Sequence, residues 1–240
     1  MTDSVLPTTS WIQNFELAVK PLLKPGMKVL EFACGTGSYS KRLLPWGAGN
    51  LTGVDISPVM VLSDWARFLV GDGSKPVSLA PNGSKAYFDL AFGAWFLNYG
   101  QSKEHLSHMF ANISLNLKPG GVFVGVVPPP SESLDRLAEL CTQPPLNRMW
   151  PKRMYTEKLA SGDGWRTHVF LDNKGVDFKA WHLRKQVFEE AARLGGMLGK
   201  LKWRTEVLGP EHKANLAMSD EEWEVRQKFP EIGIIIVRKE

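Results

Sequence analysis

The 240-residue chain is 43% hydrophobic, enough for one sizeable core and for one domain with a small subdomain. Charged residues make up 22%, close to the globular average, which excludes wholesale disorder. The net charge of +4 sets 29 basic residues against 25 acidic ones without a long basic block, so no nucleic-acid partner is expected.

Apolar residues Trp11, Phe15, Val19 and Leu22 repeat at helical spacing after Ser10, and Pro25-Gly26 ends that helix. "MKVLEFA" predicts a strand, and "SYSKRLL" predicts a helix up to Pro45. "NLTGVDI" predicts a second strand. Ser57 and Pro58 then open a helix over "SPVMVLSDWA". "RFLVGD" is a short third strand, followed by a loop and a fourth strand, "YFDLAFGAW". Ser102 caps a helix with Leu106, Met109, Phe110, Ile113 and Leu117 on its inner face. "KPGG" turns the chain into a fifth strand, "VFVGVV". Strand alternating with helix five times predicts a doubly wound α/β fold with ligands at the carboxyl edge of the strands.

After "PPP" at 128–130 the alternation stops. "SLDRLAEL" predicts a helix. "GWRTHVFLDNKGVDFKAWHLR" predicts a hairpin with Asn173-Lys174 at its tip. Such a tip pairs Leu171 with Val176 and Trp165 with His182. Its apolar face carries Trp165, Thr167, Val169, Leu171, Val176, Phe178, Ala180 and His182. His168 falls on the opposite, solvated face. "KQVFEEAARLGG" predicts a helix, and "KLKWRTEVL" with "IGIIIVRKE" completes the sheet, the last strand antiparallel.

Cys34 and Cys141 read as free thiols of a reducing, cytoplasmic compartment, with no signal peptide in the opening residues. No apolar run is long enough to span a bilayer, so no membrane partner is expected. The five histidines show no metal-ligand spacing, and no metal is expected.

The chemistry concentrates in "VLEFACGTGSYS". A glycine loop between strand and helix lets backbone N–H groups approach a ligand. The dinucleotide pattern lacks its third glycine, because Ser40 stands there. Glu31, two residues before the turn, repels phosphate and suits an ammonium group. Asp55 at the tip of strand two can accept both hydroxyls of a ribose. Asp72 in "VGDG" ends strand three, where it can take an adenine amino group. An amine, a ribose and an adenine together describe S-adenosylmethionine.

"VLEFACGTGSYS", "GVDIS-PVM", "VGDG", "FDLAFGAWFLNY" and "LKPGGVF", in this order, resemble the class I S-adenosylmethionine-dependent methyltransferases. The resemblance covers residues 25–127, and the later hairpin and tail look like the small-molecule, type 11 branch. It implies a Rossmann-like seven-stranded sheet with helices on both faces and a small hairpin and helical lid. It also implies a cofactor site. Glu31 would hold the methionine ammonium through the loop of Ala33, Cys34, Gly35 and Gly37. Asp55 would hold the ribose, with Ile56 and Met60 packing on the adenine. Asp72 and Gly73 would read its edge, and Gly93, Ala94 and Tyr99 would lie under the sulfonium. Between Met60 and Asp72 the chain is shorter than the family usual, so either a clipped helix or a differently placed Asp72 is expected.

The expected organisation is a lid helix (1–24), a cofactor-binding core (25–127), a lid or substrate insertion (128–184), and a closing helix with strands (185–240). The expected function is methyl transfer to a small organic acceptor, through O, N or S, of the kind found in secondary metabolism. Trp11, Phe15, Trp95, Trp165 and His182 form the expected acceptor pocket, with His182 the candidate base. Two alternatives stay open. One is this fold without methyl transfer, as a rearrangement catalyst or binding partner. The other is an RNA or protein methyltransferase, against which the missing "NPPY"-type tetrapeptide counts.

Overall fold

The computed structural model describes residues 9–58, 66–171, 175–215 and 218–240. Residues 59–65, which include Met60 and most of the helix expected over "SPVMVLSDWA", lie outside the described residues, as does the hairpin tip Asn173-Lys174. Helix α1 (Thr9–Val19) passes through a short 3-10 turn (Lys20–Leu22) into strand β1 (Met27–Phe32). Then come α2 (Ser40–Leu43), β2 (Ala48–Asp55), β3 (Arg67–Val70), β4 (Phe88–Ala94), a 3-10 turn (Leu97–Tyr99), α3 (Lys103–Asn116) and β5 (Leu117–Val127). The second half adds α4 (Leu134–Leu140), β6 (Lys152–Lys158), β7 (Gly164–Phe170), β8 (Asp177–Leu183) and α5 (Lys185–Leu194). It closes with β9 (Lys202–Thr205), α6 (Pro210–Asn215), α7 (Asp220–Lys228) and β10 (Gly233–Arg238).

Seven strands form one sheet in the order β3-β2-β1-β4-β5-β10-β9. Strands β1 to β5 pair in parallel. Strand β10 is antiparallel to both of its neighbours, as the sequence predicts. The order reverses between β1 and β4, and the crevice above such a reversal is where this class of sheet binds ligands.

The sheet divides two cores, which explains why β1 reads as a nearly unbroken apolar run. Leu30 and Phe32 face one side, with Leu106, Phe110 and Ile113 of α3 and Phe188 of α5. Val29 faces the other, with Phe15, Leu43 and Phe92. Phe15 is the hub of that second core. Its ring lies 4.3 Å from Phe92, 4.9 Å from Tyr39 and 5.3 Å from Trp46. Phe15 is fully buried, so it holds α1 on the sheet and does not line an acceptor pocket. This corrects its expected role: one turn away, Trp11 is the α1 residue that reaches outward.

The capping expectation holds at Ser102, whose hydroxyl accepts from the His105 N–H; Ser133, for which no cap was predicted, does the same for Arg136. "KPGG" is not a separate turn. Strand β5 runs through it as an irregularity, with Gly120 at φ +75° and a register shift against β4. The hairpin pairs in the expected register, Trp165 opposite His182, and the Leu171 N–H bonds the Val176 carbonyl. Its sheet has a third strand, β6, that the sequence reading missed. "KRMYTEK" is charged, bulged between Tyr155 and Glu157, and sits at an edge, so it lacks clean alternation. Helix α7 was missed too, although Ser219 and Glu222 form a capping box readable as S-x-x-E.

Replacing Phe15 by alanine should cost about 3–5 kcal/mol of stability, the range for a buried aromatic. Leu17→Ala, on the half-exposed side of α1, should stay within about 0.5 kcal/mol. Urea unfolding midpoints measure both, and equal shifts would contradict the orientation of α1.

Candidate functional site

At the carboxyl edge of the sheet the described residues enclose a cleft of about 750 Å³. Its walls come from four strand tips. Ala33 and Gly35 follow β1; Asp55, Ile56 and Ser57 end β2. Gly71, Asp72, Gly73 and Ser74 follow β3, and Ala94, Trp95, Phe96 and Tyr99 follow β4. Eight of the expected cofactor residues therefore line one cavity: Ala33, Gly35, Asp55, Ile56, Asp72, Gly73, Ala94 and Tyr99.

The loop after β1 is left-handed at Ala33 (φ +51°), Gly35 (φ +52°) and Gly37 (φ +78°). For Ala33 that conformation is strained and must be held from outside. Asp55 does much of the holding. Its Oδ2 accepts from the Gly35 N–H (2.8 Å) and its Oδ1 from the Ser57 N–H (2.9 Å). A carboxylate has about four acceptor sites, so roughly two stay free toward the cleft. Asp72 accepts from both the Ser74 N–H and the Ser74 hydroxyl, at 3.0 and 2.7 Å. Those bonds, with Lys75 nearby, hold its carboxyl below the usual range. Ile56 is 72% exposed, an apolar side chain left beside a carboxylate at the cleft rim.

Several expected residues lie behind the cleft surface. Glu31 is buried and accepts a short hydrogen bond from the Ser40 hydroxyl. Burial, with the Asp55 charge adding to it against the Ser40 bond, pushes its carboxyl up to about 8. Burial therefore favours its neutral form. Its part is to fix the start of α2 beneath the loop, not to present a charge to the cavity. Cys34 is buried as well, and burial with the nearby Glu31 and Asp55 raises its thiol to about 12. A thiol so far from ionisation is no nucleophile. Gly37 stays in the loop turn, where its N–H bonds the Cys34 carbonyl.

Gly93 and Gly73 serve a ring of the protein itself. A β-carbon at Gly93 would stand 2.9 Å from the Phe96 β-carbon, and one at Gly73 would stand 2.7 Å from the Phe96 ring. Phe96 in turn stacks on Phe32 at 4.9 Å. The cradle at Gly93 is thus filled from within, which corrects its expected place under a ligand.

A second, smaller cavity of about 240 Å³ adjoins the cleft, and Trp95 and Tyr99 line both. Trp95 sits at φ +58°, a left-handed conformation rare for a bulky residue, with its N–H bonded to the Val126 carbonyl. Trp11 meets it edge-on at 5.4 Å. The apolar hairpin face supplies Thr167, Val169, Leu171, Phe178 and Ala180 to this pocket. So Trp11 and Trp95 take their expected positions, and Trp165 and His182 do not. Trp165 turns outward, donates to Asp135 and packs on Tyr155. His182 is buried, bonded through Nε2 to the Pro129 carbonyl and through Nδ1 to the Tyr155 hydroxyl, both at 2.8 Å. A carbonyl only accepts, so Nε2 carries the proton and the Nδ1 lone pair is committed to Tyr155. Burial, with Arg153 nearby, pushes the imidazole down to about 3. Both nitrogens are occupied, so His182 is a structural histidine and not a base.

Cleft residues that the sequence reading missed are Lys179 and Trp181, on the face of β8 taken as solvated, and Gln101, His105 and Met109. Trp181 among the polar residues of that face was the readable signal. In the smaller pocket Asn98, Arg153 and Glu231 were missed. They are scattered over the chain, and no spacing joins them.

Residues 29–121 match the sequence model of a methyltransferase domain. The sterol 24-C-methyltransferase ERG6B of Gibberella zeae is 30% identical over 112 residues, covering 42% of this chain and 27% of that protein. The chain thus matches about a quarter of the length of that curated relative. A putative S-adenosylmethionine-dependent methyltransferase of Listeria monocytogenes superposes with a TM-score of 0.63 at 17% identity, over 97% of this chain and 98% of that one. The PH0226 protein of Pyrococcus horikoshii gives 0.64 at 18% identity, over 100% and 94%. At such identities the likeness is one of fold. The chain shares the fold of these proteins, and its residues 29–121 are similar to the methyltransferase-domain model.

Glu31→Gln should flatten the pH dependence of stability. Glu31 in the folded chain keeps its proton up to about 8, whereas the unfolded chain releases it near 4.5. Its stabilising contribution is full below about 4.5 and is lost as the pH rises through about 8. The melting temperature of the variant, relative to wild type, should rise between pH 5 and pH 8. A constant difference over that range would show that Glu31 is ionised in the fold.

Proposed function

We propose that the protein transfers the methyl group of S-adenosylmethionine to a small organic acceptor held in the pocket beside Trp95 and Tyr99. The observation that carries this reading is the shared wall. One cavity gathers the strand-tip residues suited to the cofactor, and an aromatic pocket at the tip of β4 shares its Trp95 and Tyr99 wall.

The residues present fit the cofactor. The cleft volume lies within the range of small-molecule sites. Asp55 keeps acceptor capacity for ribose hydroxyls after bonding the loop. Asp72 and Gly73 stand where an adenine edge would be read, with exposed Ile56 to pack on its face. Ala33 and Gly35 would bring backbone to the methionine end, and Ala94 and Tyr99 would border the sulfonium end. Bound there, the cofactor would supply an electrophilic methyl group to a nucleophilic O, N or S, leaving a neutral thioether, with the acceptor's proton passing to water.

The chain's own work is orientation. Trp95 and Tyr99 hold the boundary between donor and acceptor, and the hairpin sheet covers the pocket. With a neutral thioether as leaving group, in-line placement supplies much of the rate and no protein nucleophile is needed. The proposed organisation keeps residues 1–24 and 128–184 as the lid over a 25–127 core, with 185–240 completing the sheet.

Asp55→Ala should weaken S-adenosylmethionine binding about 10–100-fold, because hydroxyls lose an acceptor and the Gly35 loop loses its tie, together about 1–3 kcal/mol. Titration calorimetry on the folded variant measures this. An unchanged dissociation constant would remove Asp55 from the site.

A further inference from the structure

Asn98 is 1% exposed, lines the smaller pocket, and has no hydrogen-bond partner on either Oδ1 or Nδ2. Buried amides are nearly always paired, and a side chain with both ends unpaired needs a reason. Packing is not the reason. A leucine would fill the same space in the turn after β4 without the cost of desolvating an amide. The neighbours Asn112 and Asn116 show the ordinary case, each bonded to loop backbone.

The pocket around Asn98 has aromatic walls. Trp11 and Trp95 stand edge-on at 5.4 Å, and Phe178 comes from the hairpin. Its 240 Å³ holds roughly ten non-hydrogen atoms, counting on the order of 30 Å³ per water-sized unit and less in close packing. An amide presents a donor and an acceptor side by side in one plane, so its complement is an acceptor beside a donor. Arg153 offers a second buried donor to the same pocket, since its Nε–H also lacks a partner.

We propose that Asn98 determines acceptor specificity, selecting a planar aromatic compound that carries a carbonyl beside a hydroxyl or N–H group. The inference rests on the methyl-transfer reading only for the role of the bound molecule. The ring lies between the aromatic walls, the amide reads the carbonyl and its neighbouring donor, and the reacting atom is turned toward Trp95 and Tyr99. Asn98 is a positioning residue.

Two probes of equal heavy-atom count test this: 2-hydroxybenzamide, which has the paired group, and 2-isopropylphenol, which lacks the carbonyl. Calorimetry is run on wild type and Asn98→Leu with S-adenosylhomocysteine present. Wild type should bind the benzamide at least ~10-fold more tightly, the scale of one satisfied buried hydrogen bond. Asn98→Leu should erase that preference, keep S-adenosylhomocysteine affinity, and melt at a higher temperature because an unpaired amide is gone. Equal binding of the two probes by wild type, a preference that survives in Asn98→Leu, a lower melting temperature for the variant, or no binding of either probe at about 1 mM would each overturn the proposal. Failure of the methyl-transfer reading would show separately, as no heat with S-adenosylhomocysteine itself.

Discussion

One ring sets the spacing of the site. Phe96 stacks on Phe32 at the end of β1 and lies against Gly93 of β4 and Gly73 after β3. Three strand tips are thereby fixed around one side chain, and neither glycine can take a β-carbon without displacing it. The chain also turns at Trp95, which enters a left-handed conformation immediately before the ring. Such strain persists only where surrounding packing overdetermines it. Here the Phe96 contacts and the bond to Val126 do so, and the result is that Trp95 faces both cavities.

Charge is distributed with the same economy. Of the three acids at strand tips, the structure leaves two beside the cleft and withdraws the third. Asp55 and Asp72 are hydrogen-bonded by backbone or hydroxyl donors and remain at the surface of the cavity. Glu31 is desolvated, which favours its neutral form, and is bonded to Ser40. The cleft therefore carries less negative charge than the sequence suggests, and its donor end is shaped by backbone from the Ala33–Gly35 loop.

Much of the fold was legible because parallel strands write themselves as apolar runs bounded by glycine and acid. The five leading strands followed from those runs, and the hairpin register followed from its two-residue tip. Strand β6 did not, because an edge strand needs charge more than alternation, and α7 is polar on nearly every side. In the site, residues at strand tips were legible, since the topology sends every such tip to one edge. What failed was depth. Glu31 and Gly93 sit at the right height along their strands, but their side of the chain is filled by Ser40 and Phe96, and the Cys34 thiol packs against Gly53 of β2. Phe15 and His182 failed likewise: helical and hairpin periodicity gave the correct face, and packing decided that this face is core. Asn98, Arg153 and Glu231 come from separate parts of the chain and meet only through the lid.

The central claim is that the cleft between β1, β2, β3 and β4 is made for S-adenosylmethionine. Titration calorimetry of the wild-type protein with S-adenosylmethionine tests it most directly. One site per chain with a dissociation constant of about 1–100 μM, or roughly 5.5 to 8 kcal/mol, is the predicted result. No detectable heat at high micromolar concentrations of protein and cofactor, with the protein folded, would contradict it.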